Sequence, residues 1–190
     1  MAQQREQAAD DALSTRIGQL VMLHHAGDRE EARDRLLGLW SELGEDGDPL
    51  HRCTLAHYLA RTHTDPSDEL AWDLRALSAA DSCAEPRSPA LRALYPSLHL
   101  SLAGDYVKLT RPGAARSHLS RARAAAAELG GAADHGHAVG VRAALTRLEG
   151  EVAGMPGVPG LPGEDGDPGE GGGGHGRPGG EPLGPPRSGS

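Results

Sequence analysis

Phenylalanine and asparagine are absent from this 190-residue chain, lysine occurs once, cysteine twice, and aromatic residues make up only 3%. Without Phe, the core must be filled by Leu and Ala. That pair suits helices, because Ala lets two helices approach closely and Leu costs little helix propensity. Cys53 and Cys83 are too few for a disulfide scaffold and form no Cys-x-x-Cys motif; buried, reduced thiols are expected, ahead of a redox pair. No run approaches the ~18 apolar residues of a membrane span. The residues after Met1 carry no apolar stretch of the kind that marks a secretory signal. A cytoplasmic protein without membrane contact is therefore expected.

The hydrophobic fraction, 37%, is lowered by a Gly/Pro-rich C-terminus, and the first ~150 residues are large enough for one core. The net charge is −8, of which residues 155–190 carry −3 through five acids and two bases. An acidic body with scattered Arg does not suit nucleic acid. Lys108 is the single lysine among 19 basic residues, an Arg bias that reads as a GC-rich coding signature and says nothing of mechanism.

What the chain does have is a helix-turn-helix cadence written three times. Gly27-Asp28-Arg29, Asp65-Pro66-Ser67 and Thr110-Arg111-Pro112-Gly113 each separate two Leu/Ala-rich stretches with apolar residues at steps of three and four. The first helix is expected from about Gln7 to Ala26, with Leu13, Ile17, Leu20, Val21 and Met22 on one side. Asp28 and Glu31 have the spacing of a capping box for the second, whose stripe is Ala32, Leu36, Leu39, Trp40 and Leu43. Asp48-Pro49 and Asp65-Pro66 read as N-cap and N1 of the third and fourth helices. The fourth is expected to turn Leu70, Leu74 and Leu77 inward. Ser88-Pro89 opens a fifth segment, in which Pro96 marks either a kink or the true helix start. Arg111-Pro112 opens the sixth, with Ala115, Leu119, Ala122, Ala126 and Leu129 as its stripe. Asp134 can cap a seventh, a lone helix suited to closing the end of an array. No segment alternates like a strand, so the chain is expected to be all-α.

Tyr106, Ala115, Leu119 and Ala122, preceded by Leu102-Ala103, fall at the spacing of the consensus positions of a tetratricopeptide repeat. Leu23, Ala32 and Leu36 match an earlier copy. The Ala32-to-Ala71 and Ala71-to-Ala115 intervals are 39 and 44 residues, longer than the ~34-residue period. Over residues 1–153 the chain thus resembles a degenerate tetratricopeptide-like array of antiparallel helix pairs with a C-terminal capping helix; the residue pattern alone also allows an irregular helical bundle. The resemblance implies a superhelix whose first helices line a groove that holds a peptide or partner protein. Carried over by position, the groove candidates are Ile17, Val21, His24 and His25 from the first pair, and Ser97, Leu100, Val107 and Lys108 from the third. The family's Asn/Lys/Arg clamp for a C-terminal carboxylate has no counterpart here, since Asn is missing and Lys108 stands alone.

Ten histidines invite a metal hypothesis, through His24-His25, His135-Gly136-His137, or Cys53 with His57 one turn on. Neither Glu-x-x-His nor His-Glu-x-x-His occurs, and no nucleophile elbow, phosphate loop or dinucleotide fingerprint is present. No catalytic residue, cofactor or metal is expected. The leading reading is a non-enzymatic protein- or peptide-binding adaptor. A regulatory helical module and a metal- or redox-active bundle are the alternatives. From Gly154 onward glycine recurs every third residue to Gly172, a collagen-like register. So short a run with two nearly all-Gly triplets is expected to be a disordered tail spanning 154–190.

Overall fold

A computed structural model describes residues 1–82, 88–129 and 135–156, apart from the side chains of residues 2–3, 5–7 and 135–137. Among the described residues there are seven helices and no strand. They are α1 (Ala2–His25), α2 (Arg29–Leu43), α3 (Pro49–Thr62), α4 (Pro66–Asp81), α5 (Pro89–Lys108), α6 (Pro112–Leu129) and α7 (His135–Ala153). Cys83, Asp134 and the collagen-like register beyond Pro156 lie outside the described residues.

Proline and a short polar side chain start three of these helices together. Pro49, Pro66 and Pro89 occupy the first turn, where an N–H has no helical partner to lose. The preceding Asp48 accepts from His51 N at 3.0 Å, Asp65 from Ser67 N at 2.7 Å, and Ser88 Oγ from Leu91 N at 3.2 Å. Such caps contribute about 1 kcal/mol each. The expected Asp28–Glu31 capping box does not form. Asp28 makes no side-chain cap bond and its backbone (φ −81°, ψ 59°) is not extended, while Glu31 turns along the helix to Arg35 at 2.6 Å. Gly27 and Gly44 end α1 and α2 at φ of 104° and 67°, a conformation that suits a residue without Cβ.

Each helix packs on the next, and the odd helices also touch in series: α1 on α3, α3 on α5, α5 on α7. Short connections between packed neighbours make them antiparallel, so the helices form stacked hairpins with α7 lying against both α5 and α6. Three apolar clusters follow that order. Ile17, Leu20, Leu36, Leu39, Leu55 and Leu59 join α1–α3; Cys53, Ala56, Ala76, Ala80, Leu91 and Leu98 join α3–α5; Leu100, Ala103, Ala115, Leu119, Val141 and Leu145 lie among those joining α5–α7. Trp40 and Trp72 border the first two clusters and meet edge-on, their centroids 5.4 Å apart. Ala32, Ala56, Ala60, Ala76, Ala80, Ala103, Ala115 and Ala122 are fully buried, which is how a chain without Phe brings its helices close.

Several expectations need correction. Helix α1 begins at Ala2, not near Gln7, and Met22 is 70% exposed, off the buried Ile17–Leu20 stripe. In α4 the buried face is Asp73, Ala76, Ala79 and Ala80, and Leu74 is 41% exposed. Leu74 misled because a carboxylate, Asp73, occupies the inward position, while Leu77 packs half-buried against the α3–α5 cluster. Helix α5 runs unbroken through Pro96, which is itself buried; the ring leaves Arg92 C=O without its usual i+4 donor, and α5 starts at Pro89, not at Pro96.

Candidate functional site

Where the odd helices meet α4, a cleft of about 410 Å³ opens, lined by α3, α4, α5 and α7. One side is apolar, from Leu100 and Val107 of α5 with Val141, Ala144 and Leu148 of α7. The other is polar, from Arg61, Glu69, Ser101, Asp105 and Lys108. Gly104 and Gly140 lie along it, and neither glycine is demanded by packing. A Cβ at Gly140 would meet nothing within 4 Å, and one at Gly104 would touch Leu148 Cδ2 at an ordinary 3.9 Å.

Beneath the polar side lies a hydrogen-bonded chain crossing three helices. His57 Nδ1 is 3.1 Å from Asp73 Oδ1, and its Nε2 is 3.2 Å from an Arg61 amino group. A guanidinium can only donate, so Nε2 accepts and the ring proton on Nδ1 goes to Asp73. Arg61 also donates to Ser101 Oγ at 3.2 Å. Lys108 pairs with Glu69 and lies 3.5 Å from Asp105 Oδ1. Asp73 and Asp105 are only 2% and 1% exposed. Burial, aided by the charges of Asp73 and Glu69 and a side-chain hydrogen bond with Asp73, pushes the Asp105 carboxyl up to about 8, against the pull of Lys108. Two carboxyls bond only through a shared proton, so Asp105 carries it at neutral pH. Ionised, its Oδ2 would have no donor at all, a costly state in a dry site.

The sequence-derived groove candidates divide into two groups. Ser97, Leu100, Val107 and Lys108 all line this cleft, with Leu100 at 8% exposure forming part of its floor. Val21, His24 and His25 stand at the α1 end, outside it. Ile17 is not a groove residue: at 3% exposure it belongs to the α1–α3 core, one side of α1 being used to hold α2 and α3. His24 is half-buried, and burial, then His25, Arg29 and Arg61, hold its pKa below the usual value. Asp73, Asp105, Arg61, Glu69 and the α7 contribution were missed from sequence. The available signal was an acid standing on an apolar stripe: Asp105 continues Leu98 and Leu102, and Asp73 precedes Ala76 and Ala80 at helical steps.

Among the described residues, no three of His, Cys, Asp or Glu converge to hold a metal ion. Both His57 ring nitrogens are engaged, and the side chains of His135 and His137 lie outside the described residues. Burial, with Asp73 and Asp81, pushes the Cys53 thiol up to about 12, so it remains a protonated, inert core group. Among the described residues no helix is long and apolar enough to cross a membrane. No protein-family model, curated protein or solved structure matches the chain.

Proposed function

We propose that this protein is a non-enzymatic adaptor that holds a peptide segment of a protein partner along the inner face made by α3, α5 and α7. The observation carrying this reading is the half-apolar, half-polar cleft of about 410 Å³ shared by four helices. Peptide grooves combine apolar contact area with a few placed polar groups. Val107 and Ala144 supply the first here, over a floor made by Leu100, Val141 and Leu148, and Arg61, Ser101 and Lys108 the second. The tetratricopeptide-like spacing of Tyr106, Ala115, Leu119 and Ala122 agrees, since in that family the first helix of each pair faces the groove. Nothing in the buried network asks for chemistry: His57, Asp73 and Asp105 are spent on joining α3, α4 and α5.

Gly140 offers a test, because it lines the cleft and a Cβ there would meet nothing within 4 Å. Gly140→Leu is expected to keep the helical circular dichroism and to weaken the partner or selected peptide by at least about tenfold, the scale of one lost anchor contact. Unchanged affinity in a folded Gly140→Leu protein would move the binding surface elsewhere.

A further inference from the structure

The outer layer holds a second cleft, of about 500 Å³, between the C-terminal ends of α2 and α4 and lined by Trp40, Ser41, Gly44, Arg52, Arg75 and Ser78, among others. The Arg52 guanidinium lies 4.8 Å from the Trp40 ring centroid, and that of Arg75 lies 4.7 Å from the Trp72 centroid. The two indoles meet edge-on, so each guanidinium sits on the face of its own ring, and the two rings touch. Stacking alone is commonplace. What distinguishes this pair is what the guanidiniums do with their protons. Arg52 gives one N–H to Gly44 O, Arg75 gives one to Ala71 O at 3.1 Å, and neither pairs with a carboxylate among the described residues. Each has five donors in a fixed fork, so most remain unspent. In the inner cleft Arg147 is held by Glu151 at 2.8 Å and Arg61 donates to His57 and Ser101; between α6 and α7 Arg123 is held by Glu149, which leaves Arg116 alone there.

We infer that this outer cleft binds a phosphoryl monoester, free as inorganic phosphate or carried on a phosphorylated side chain. Two stacked guanidiniums exceed what one carboxylate can accept, whereas a phosphoryl group brings three strong acceptor oxygens and about −1.5 to −2 charges. Arg52 and Arg75 face one acid on the lining, Glu45, and the negative C-terminal ends of α2 and α4 offset part of their charge. A neutral ligand would leave the guanidinium protons unmet, and a base could not stack where the arginines already cover the indoles. The cleft is far larger than a bare phosphate, which favours a phosphorylated side chain as the natural source. This inference is independent of the inner groove, which lies on other helix faces.

Trp40 and Trp72 are the only tryptophans, so the intrinsic fluorescence of the full chain reports on the site itself. The titrants are N-acetyl-O-phosphoserine amide, inorganic phosphate, N-acetylserine amide, and sodium chloride at matched ionic strength. A saturable change is expected with both phosphates, tighter for the phosphoserine derivative, and none with the serine derivative. Inorganic phosphate binding as tightly as phosphoserine would also uphold the site, with the free ion as its ligand. Arg75→Gln, at an exposed position, should weaken binding about tenfold or more, the scale of a lost charged hydrogen bond. Arg123→Gln, in the Glu149 pair between α6 and α7, should not. A response equal to that of sodium chloride, or one that survives both Arg75→Gln and Arg52→Gln, would overturn the inference.

Discussion

His57 Nδ1 lies 3.1 Å from Oδ1 of Asp73, a carboxylate only 2% exposed, and so ties α3 to α4 from inside the fold. Asp73 also bonds the protonated Asp105 of α5. One buried carboxylate thus organises three helices directly beneath the inner cleft.

Replacing Asp73 by Ala is therefore expected to cost about 3–5 kcal/mol, as breaking one member of a buried polar network does. Urea unfolding followed by circular dichroism measures it. A cost below about 1 kcal/mol, the size of an exposed ion pair, would show that the network is incidental.

Asp105 makes stability depend on alkalinity. Its folded value, about 8, lies above the ordinary Asp value near 4, so the folded state binds the proton more tightly than the unfolded one. Its contribution is fully present below about pH 4 and is lost as pH rises to about 8. Asp105→Asn keeps a donor but no titration, and should flatten the decline in unfolding free energy between about pH 6.5 and 8. The same decline in wild type and variant would refute the assignment.

The buried pair of His99 and His118, with Nδ1 atoms 3.1 Å apart, works in the other direction. Burial, then His99 and Arg121, lower His118 to about 4, and burial first, with Arg121, also lowers His99. Both lie below the ordinary 6.5, so their contribution is full above about pH 6.5 and is lost as pH falls toward 4. Thermal melts between pH 4.5 and 7 in the Asp105→Asn background, where the opposing slope is absent, should show this loss, and adding His118→Gln should reduce it.

Thr110 joins α5 to α6 at φ 55°, in the left-handed region where a β-branched residue is strained. Thr110→Gly should raise the unfolding free energy by about 0.5–1 kcal/mol, strain relief exceeding the added freedom of the unfolded chain. A loss of stability would mean that the Thr side chain contributes contacts worth more than the strain.

The architecture was legible where local chemistry decides. Asp48-Pro49, Asp65-Pro66 and Ser88-Pro89 announce helix starts through interactions confined to one turn, and the Leu/Ala periodicity announces helices throughout. Facing was less legible. Leu74 outranks Asp73 in hydropathy, yet Asp73 goes inward because His57 and Asp105, 16 and 32 residues away in sequence, satisfy it there. Ile17 fits a groove position by register, but the packing of α1 against α2 and α3 claims it. Six of the fifteen residues lining the cleft come from α7, whose place beside α5 depends on tertiary packing that no local pattern encodes. Asp28 shows the converse: a sound capping signal yielded to a competing Glu31–Arg35 pair.

The central claim is that a partner peptide lies along α3, α5 and α7. A photo-crosslinking amino acid placed at Val107, in the cleft, and separately at Leu74, 41% exposed on α4 and outside the cleft lining, tests it most directly in cells. The account predicts a discrete crosslinked partner from position 107, none from 74, and loss of the product in Gly140→Leu. Crosslinking from position 74 alone, with 107 silent, would contradict it.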